Sequence, residues 1–414
     1  MIWLGHHGNG VAVEHGELFP VNGREYGKGI LPSQDIEQFI SGGVIRATAA
    51  FGVDQIQPAS IDLRLGREAY CVRASFLPGE SSTILTKATA ADLLLDRLDL
   101  TEGAILKENS VYIIKLMESL ALPPDVHGIA NPKSTTGRLD ILTRLITECG
   151  EEFERVRKGY QGDLYIEVVT RTFPIIVRQG LKLNQLRFVR GSAMPATDYR
   201  LKALAKAEFR IGDDEADRAS INRGWPITVD LEGNGHQTPV AYKAKKHQPP
   251  IDFAKVGVYE IADFWDAIPK PSTGRIVLEP DSFYILVSKR AVRVKPTQAA
   301  EMIPYDPTMG EFRVHYAGFF DPGFGYGRKG EIEGTKAVLE VRAHDIPILL
   351  EDDQLVGRLA YYEMASEPAK VYGVSIGSSY QEQGLALSKQ FKRPPRAEST
   401  LNSLPTAPPT VLVG

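Results

Sequence analysis

Residues 106–113 read LKENSVYI, and residues 278–285 read LEPDSFYI, 172 positions further along the chain. In both segments a polar turn leads into a short run of period two, which is the pattern of a half-buried β-strand. Similar runs occur at residues 60–65 (SIDLRL) and 165–169 (YIEVV), with Gly and Pro between them. The pattern predicts an all-β fold with a few short helices, in which antiparallel strands close into a barrel or sandwich.

The repeat extends beyond this first pair of segments. YIEV at 165–168 and FPII at 173–176 recur as VLEV and IPIL, each 173 residues downstream. Three matches at nearly one offset indicate an internal duplication. We therefore predict two copies of one β unit, at residues 29–190 and 273–392.

Three segments lie outside the two copies. Residues 1–28 are rich in Gly and His, and residues 393–414 are rich in Pro, Ser and Thr, so both are predicted to be disordered. Residues 191–272 are predicted to be a connecting region without chemistry of its own. Short helices are expected at residues 33–40 and 261–268.

Composition and charge exclude several classes of function. The chain has 414 residues, with 48 Lys and Arg against 52 Asp and Glu, so its net charge of −4 offers no basic field for a nucleic acid. Cys71 and Cys149 are too few for a disulfide framework or a Cys-rich zinc site. No apolar run has the length of a membrane span, and residues 1–10 do not read as a signal peptide. We expect a cytoplasmic protein with neither nucleic acid nor membrane as a partner.

Residues 133–140 read KSTTGRLD and form a candidate anion site. A hydroxyl-rich turn between two cations can wrap an anion, because hydroxyl and backbone N–H groups donate hydrogen bonds while Lys133 and Arg138 supply charge. The stretch lacks the leading glycine and the Gly-Lys-Ser/Thr ending of a Walker A loop. A plain polar turn between two strands is the alternative.

Glu167 and Glu340 occupy equivalent positions in the two copies, each between apolar neighbours. Desolvation in a pocket would raise the pKa of such a carboxyl and suit it to proton transfer, whereas on a half-exposed strand it would face solvent. Ahead of Glu340, residues 314–324 read VHYAGFFDPGF. In this run Asp321 can accept a hydrogen bond from a sugar hydroxyl, and Phe324 can pack against a base. A Pro-Gly hairpin with buried aromatic rings is the alternative.

Together with QPASIDLRLG at 57–66 and YQEQG at 380–384, these motifs resemble the successive motifs of dCTP deaminases. The resemblance covers most of residues 29–392 and is to the longer, duplicated form of that family. It implies two tandem β-barrel (β-clip) units of the dUTPase-like superfamily, and conversion of dCTP to dUTP with release of ammonia. It also implies a homo-oligomer with threefold packing of β units, whereas regulation by dTTP is left open.

The resemblance also assigns roles by position. Glu340 matches the glutamate that shuttles protons, and Ser134 matches the serine that helps to place the catalytic water and hold the triphosphate. Ser379 stands where many relatives have Lys, which predicts the loss of one phosphate contact. The residues that match substrate contacts are Lys133, Ser134, Arg138, Ala317, Asp321, Phe324, Val338, Tyr372 and Gln383.

The two copies lack different parts of this pattern. The segment at residues 133–140 is called the phosphate turn below. In the first copy, residues 147–158 replace the AGFFDP run, and in the second copy, residues 305–311 replace the phosphate turn. Because sites of this family are shared between neighbouring subunits, we expect one composite site, in which the phosphate turn faces Asp321 and Glu340. Glu167 is then a relic or a structural residue.

Metal use and activity follow from the same motifs. Zinc deaminases need a His-x-Glu and a Pro-Cys-x-x-Cys motif, and neither cysteine has a partner at that spacing. We expect zinc-independent hydrolysis, with Mg²⁺ entering as the counter-ion of the triphosphate. Two alternatives stay open: further hydrolysis of dUTP to dUMP, as in some relatives, and a non-catalytic nucleotide-binding protein.

Overall fold

The computed structural model describes residues 27–208, 221–233, 239–303, 312–315, 318–343, 345–373 and 384–393. Within these residues β-strands predominate over short helices, so the predicted all-β fold is confirmed. None of the described helices is long and apolar enough to cross a membrane. Residues 1–26 and 394–414, for which we predicted disorder, lie outside the described part of the chain.

The first unit contains twelve described strands and three helices. Its strands are β1 (Gly29–Ile30), β2 (Ile45–Ala47), β3 (Ile61–Val72), β4 (Leu94–Asp99), β5 (Ala104–Leu106), β6 (Val111–Ala121), β7 (Val126–Pro132), β8 (Ile141–Thr147), β9 (Arg155–Val156), β10 (Gln161–Thr170), β11 (Ile175–Val177) and β12 (Lys182–Arg190). Its helices are α1 (Ser33–Ser41), α2 (Ile84–Ala90) and α3 (Ser134–Gly137).

The rest of the chain forms the second unit and the segment before it. Its helices are α4 (Asp198–Glu208) and α5 (Ile261–Phe264). Its strands are β13 (Trp225–Thr228), β14 (Ala241–Ala244), β15 (Ile251–Asp252), β16 (Trp265–Ile268), β17 (Arg275–Leu278), β18 (Phe283–Val292), β19 (Gln298–Ile303), β20 (Phe312–His315), β21 (Phe319–Phe320), β22 (Thr335–Ala343), β23 (Ile348–Glu351) and β24 (Leu355–Glu363).

Antiparallel pairing joins most of the first unit into one ten-stranded sheet. Along its main path the order is β8-β10-β6-β3-β12-β7-β9, and β1, β2 and β4 pair with β12, β6 and β3. The second unit has a five-stranded sheet, β16-β14-β18-β22-β20, and a four-stranded sheet, β13-β24-β19-β21. Neighbouring strands are mostly distant in sequence, so each unit depends on contacts between remote parts of the chain.

The segments that revealed the repeat adopt the same local structure in both units. The hydroxyls of Tyr112 and Tyr284 each accept a hydrogen bond, at 3.0 Å, from a backbone N–H five residues earlier. Asn109 and Asp281 occupy equivalent turn positions with φ of 55° and 52°, a left-handed conformation in which Asn and Asp are enriched. Strand β6 pairs with β10 as β18 pairs with β22.

Residues 191–272 differ from the connecting region that we predicted. Strand β13 pairs with β24 and β14 pairs with β18, so this region supplies strands to both large sheets of the second unit. Strand β15 pairs instead with β11 of the first unit. Residues 265–268, predicted to be helical, form strand β16, because Trp265 is buried in the first unit's core and the segment pairs with β14.

Strand β22 has two buried faces. Leu339 and Val341 belong to the core of the second unit. Val338 belongs instead to the core cluster of the first unit. Because side chains alternate along a strand, Glu340 and Arg342 share the face of Val338 and point at the first unit.

An aromatic cluster around Trp265 joins the parts of the chain that meet at the unit boundary. The centroid of its ring lies 5.5 Å from that of Phe173 in the first unit and 5.9 Å from that of Phe283 in the second. Phe391, in the C-terminal segment at residues 384–393, is also 5.9 Å away. Such ring pairs add stability beyond the area that they bury, so the cluster holds the C-terminal segment on the boundary.

Candidate functional site

The phosphate turn, residues 133–140, connects β7 to β8 through the one-turn helix α3. Thr136 is fully buried, and its hydroxyl donates a hydrogen bond to the backbone oxygen of Leu183 at 2.8 Å. Lys133 donates its backbone N–H to the same oxygen at 3.0 Å. The turn is therefore anchored on β12 of its own unit.

Residues of the second unit hold the far end of the turn. Asp140 is fully buried, forms an ion pair with Arg342 of β22, and accepts a hydrogen bond from the Thr172 hydroxyl at 2.5 Å. The Arg342 guanidinium also donates to the backbone oxygen of Asp281 at 2.8 Å. Breaking a buried ion pair by removing one partner is costly, so this pair fixes the turn against β22.

Glu340 meets the turn two residues before Arg342. It is 6% exposed, and its Oε1 lies 4.0 Å from Nε of Arg138, which is also buried. Burial raises the pKa of Glu340 to about 8, although the Arg138 cation opposes the shift. A carboxyl with a pKa in this range can both take up and release a proton near neutral pH, as general acid–base catalysis requires.

The C-terminal segment covers the turn from a third side. The Ser388 hydroxyl donates a hydrogen bond to the backbone oxygen of Thr135 at 2.9 Å. Arg138 donates from its guanidinium to the backbone oxygen of Ala386 at 3.1 Å. The first unit, β22 and the C-terminal segment, all from one chain, therefore enclose the turn.

A cavity of about 350 Å³ opens at this junction. Arg138 and Glu340 are not among the described residues that line the cavity, but the backbone N–H of Arg138 donates to the backbone oxygen of Ser134 at 3.1 Å. The turn thus links the cavity to the buried carboxyl. The lining residues that bear on function are Lys133, Ser134, Lys182, Phe319, Asp321, Tyr372 and Lys389.

Three lysines line the cavity together with three aspartates, Asp54, Asp62 and Asp321. Lys133 forms an ion pair with Asp62, and Lys182 forms one with Asp54 at 2.6 Å. Burial lowers the pKa of Lys389, and the nearby charges of Lys133 and Lys182 lower it further. A bound anion would relieve the repulsion among the three ammonium groups.

Lys182 and Lys389 were not predicted from the sequence as site residues. Neither residue belongs to a motif, and 207 positions separate them in the chain. The fold alone brings them together, because Lys182 begins β12 and Lys389 belongs to the C-terminal segment. No signal in the sequence marks this pair.

Asp321 and Phe319 bring the second unit into the same cavity. Asp321 is 7% exposed; burial raises its pKa, and the Arg187 guanidinium, 3.2 Å from its Oδ1, opposes the shift. Gly318 lies close to the turn, since a Cβ built on it would be 3.7 Å from Oγ of Ser134. The phosphate turn and Asp321 therefore share one cavity, as the composite arrangement requires.

Two of the predicted substrate contacts lie in the core. The ring of Phe324 is buried with its centroid 5.1 Å from Phe320 and 5.3 Å from Tyr372. Gly323, with φ of 93°, turns the chain so that this ring packs behind the cavity and supports Tyr372. Val338 is buried against the first unit. The positions of Ala317, Ser379 and Gln383 lie outside the described residues.

Glu167 is buried in a different environment from Glu340. Arg144 of the neighbouring strand β8 donates to its Oε1 at 2.9 Å and to the Ser75 hydroxyl at 2.8 Å. The Arg144 guanidinium lies 3.8 Å from the ring centroid of Phe153, a favourable cation–π distance. Glu167 is thus neutralised within its own unit, which fits a structural role.

Comparisons with known proteins agree across both units. The family model of the 2′-deoxycytidine 5′-triphosphate deaminase (DCD) N-terminal domain matches residues 27–192, and that of the C-terminal domain matches residues 197–391. The chain is 44% identical to 2′-deoxycytidine 5′-triphosphate deaminase from Agrobacterium tumefaciens, whose crystal structure it matches with a TM-score of 0.75. That match covers 81% of this chain and 99% of the other.

Two curated relatives give more distant matches. The dCTP deaminase of Shewanella amazonensis is 24% identical over 178 residues, 42% of this chain and 89% of that protein. The dCTP deaminase of Natronomonas pharaonis is 29% identical over 165 residues, 38% of this chain and 78% of that protein. Each of these alignments therefore spans less than half of this chain.

Proposed function

Because the chain belongs to the family of 2′-deoxycytidine 5′-triphosphate (dCTP) deaminases, we propose that it binds dCTP at the unit boundary and converts it there to dUTP and ammonia. The protein is an enzyme of this family, a hydrolase of nucleotide metabolism. The product would serve as a precursor in the biosynthesis of pyrimidine deoxynucleotides. The family resemblance read from the motifs is thereby confirmed.

The observation that carries the proposed site is the approach of Glu340 to the phosphate turn. Glu340 comes from the second unit and Arg138 from the first, and both are almost completely buried at 4.0 Å from each other. The same turn presents Ser134 to a cavity that also contains Asp321. A cavity with three lysines, two of them paired with aspartates, and a nearby carboxyl of raised pKa support a site that binds a triphosphate and moves protons.

Substrate binding follows the charges in the cavity. The triphosphate would be held by Lys133, Lys182 and Lys389. Lys133 and Lys182 would exchange their carboxylate partners, Asp62 and Asp54, for phosphate oxygens. The Ser134 hydroxyl would donate to a phosphate oxygen or to the water that attacks the base. Asp321 would accept a hydrogen bond from the sugar hydroxyl. The cytosine ring would then extend past Ser134 towards Glu340.

Hydrolytic deamination adds water to C4 of cytosine and expels its amino group as ammonia. The ionised Glu340 carboxylate would take a proton from the attacking water and deliver it to N3 of the ring. It would then take the second proton from the new C4 hydroxyl and pass it to the leaving amine. The water and dCTP would thus become dUTP and ammonia, with Glu340 returned to its ionised form.

The proposed chemistry uses no protein-bound zinc. Among the described residues no group of three or more His, Cys, Asp and Glu side chains could hold a metal ion. The carboxylates closest to the lysines, Asp54 and Asp62, are each engaged by one of them. We propose that Mg²⁺ arrives on the phosphate oxygens of dCTP and that water completes its coordination.

The deciding experiment is a product analysis of the full-length protein incubated with dCTP and Mg²⁺, with and without a zinc-selective chelator. Ammonia, dUTP, dUMP and pyrophosphate are followed together. We expect ammonia and dUTP in equal amounts, no pyrophosphate, and no effect of the chelator. Binding of dCTP without ammonia would favour the non-catalytic alternative, whereas dUMP with pyrophosphate would establish a second hydrolytic step.

Other features of the family stay predictions for this chain. They are a homo-oligomer with threefold packing of β units, a cytoplasmic location, and regulation by dTTP. Size measurement in solution tests the first, and inhibition of ammonia release by added dTTP tests the last.

A further inference from the structure

Arg187 is a buried cation at the unit boundary and belongs to none of the sequence motifs. It lies on β12, the strand that also anchors the phosphate turn, and is 2% exposed. Its guanidinium crosses into the second unit, where Nη2 donates a hydrogen bond to Oδ1 of Asp321 at 3.2 Å. The carbon of the same guanidinium lies 3.9 Å from the ring centroid of Phe319. One planar group therefore contacts two residues that line the cavity.

The surroundings of Arg187 explain why this contact matters. Asp321 and Glu301 of the second unit face the guanidinium, together with the phenol of Tyr362. The charge of Arg155 also acts on Glu301 and lowers its pKa, against the effect of burial. Asp62 and Lys133 also act on Asp321, with opposite signs. Arg187 is the group that most strongly favours the ionised form of the Asp321 carboxyl.

A purely structural ion pair would be a weak explanation for a cation in this position. Replacing a buried pair by well-packed apolar side chains is often neutral or stabilising, because both charges must lose their hydration. Without the guanidinium a carboxyl as buried as that of Asp321 would tend to bind a proton, and it would then lose one of its acceptor oxygens. Lysine could supply the charge but not a flat surface that stacks on Phe319.

We propose that Arg187 is a positioning residue that fixes the Asp321 carboxylate and the Phe319 ring as one wall of the cavity, and so sets recognition of the sugar 3′-hydroxyl. This inference rests on the proposed function of the cavity. The deoxyribose of dCTP carries a single free hydroxyl, at C3′, and a fixed carboxylate is the acceptor that such a hydroxyl needs. Arg187 itself does not need to touch the substrate.

The test compares dCTP with 2′,3′-dideoxy-CTP, which lacks that hydroxyl. For the wild type we expect kcat/KM to be at least about tenfold higher with dCTP, because a hydrogen bond to a charged acceptor is lost with the analogue. In Arg187→Met we expect this ratio to fall to about threefold or less, mainly through a higher KM for dCTP. Arg187→Lys should recover part of the ratio, since it restores the charge but not the stacking.

Arg144→Met is the matched control. It also removes a guanidinium, here 30% exposed, that pairs with a buried carboxylate and stacks on a phenylalanine, but in the first unit and away from the cavity. We expect a lower melting temperature with an unchanged ratio between the two nucleotides. A folded Arg187→Met that keeps the wild-type ratio, or an Arg144→Met that loses it equally, would overturn the proposal.

The same variants and the same two nucleotides decide two further outcomes. If Arg187→Met does not fold, Arg187→Lys replaces it, and an unchanged nucleotide ratio in that variant would contradict the role of the planar group. If the wild type releases no ammonia from dCTP, the proposed function fails. Equilibrium binding of the two nucleotides to wild type and variants then tests Arg187 by the same ratio, now of dissociation constants.

Discussion

The strands that carry Glu167 and Glu340 share a sequence pattern and equivalent partner strands, but their outer faces are covered differently. In the first unit β10 is covered by residues of the same unit, and Arg144 binds Glu167 at 2.9 Å. In the second unit β22 is covered by the first unit, whose Arg138 approaches Glu340 only to 4.0 Å. What covers the strand therefore decides whether its carboxyl becomes an ion-pair partner or a candidate proton carrier.

The strand pairing shows one position at which the two units differ. Arg144 lies directly opposite Glu167 in the register of β8 and β10. His315 lies opposite Glu340 in the register of β20 and β22. The neighbouring strand thus gives Glu167 its counter-charge at 2.9 Å, whereas the Arg138 cation that faces Glu340 at 4.0 Å comes from the phosphate turn of the first unit.

The largest effect should come from changing the two glutamates separately. Glu340→Gln cannot exchange protons, so we expect kcat for dCTP to fall by about 10²- to 10⁴-fold, the usual contribution of general acid–base catalysis. Glu167→Gln should leave kcat within about threefold of the wild type. Both variants are compared by ammonia release at saturating dCTP.

Protein stability provides the control for this pair. Glu167→Gln leaves Arg144 without its anionic partner, so its melting temperature should fall although its activity persists. Glu340→Gln should fold as well as the wild type, because it removes a carboxyl that burial disfavours in its charged form. Loss of activity in Glu167→Gln, with Glu340→Gln still active, would reverse the comparison and refute the composite site.

The second prediction breaks the contact by which the first unit covers β22. Asp140→Ala removes one partner of a buried ion pair and leaves Arg342 with an uncompensated charge. We expect a loss of about 3–5 kcal/mol in the free energy of unfolding, measured by urea denaturation. The same change at Asp99, which pairs with Arg67 at the surface, should have a much smaller effect. Equal effects of the two changes would mean that the unit boundary does not depend on this pair.

The third prediction concerns the pH dependence of Glu340. Only the ionised carboxylate accepts a proton from water, so kcat/KM should rise with pH up to the pKa of about 8 and then level off. The Arg138 cation lowers this pKa. Removing it in Arg138→Met therefore raises the pKa, and the acid limb should move to higher pH.

The shape of the profile separates this effect from simple damage to the site. We expect Arg138→Met to lose up to about tenfold in kcat/KM at pH 7 and to recover part of that loss at alkaline pH, because each pH unit changes the ionised fraction by up to tenfold. A loss that is constant at all pH values would show that Arg138 acts on the substrate alone. An unchanged acid limb in Glu340→Gln would assign the titration to another group.

Local patterns were sufficient to predict the strands and the equivalent pairing positions of the two glutamates, at Ile113 and Ile285. Strand alternation is a property of neighbouring residues, and the near-constant offset identified matching turns such as those at Asn109 and Asp281. The same logic predicts that Asp321 and the phosphate turn belong to one composite site, since each copy lacks what the other keeps, and both line one cavity.

Contacts between segments that are distant in the sequence could not be predicted from local patterns. Trp265 interrupts an apparent helix because it enters the core of the other unit, which no local pattern encodes. Phe324 looked like a base contact, but the left-handed turn at Gly323 directs its ring into the core. Lys182 and Arg187 have the sequence pattern of ordinary strand residues. Only the fold places Lys182 near the C-terminal segment and Arg187 against the second unit.

The smallest expected effect comes from the C-terminal segment, which covers the turn beside Glu340. Lys389→Met removes one of three cations from the cavity, so we expect KM for dCTP to rise by about five- to tenfold with kcat nearly unchanged, as for a contact made equally in the ground and transition states. Lys392→Met is the control, because Lys392 lies on the same segment but pairs with Glu260 at the surface. Raising the salt concentration should weaken dCTP binding less in Lys389→Met than in the wild type, since fewer cations then meet the phosphates. If both lysine variants behave like the wild type, the segment covers the turn without binding the nucleotide, and the contrast between the two units rests on the strands alone.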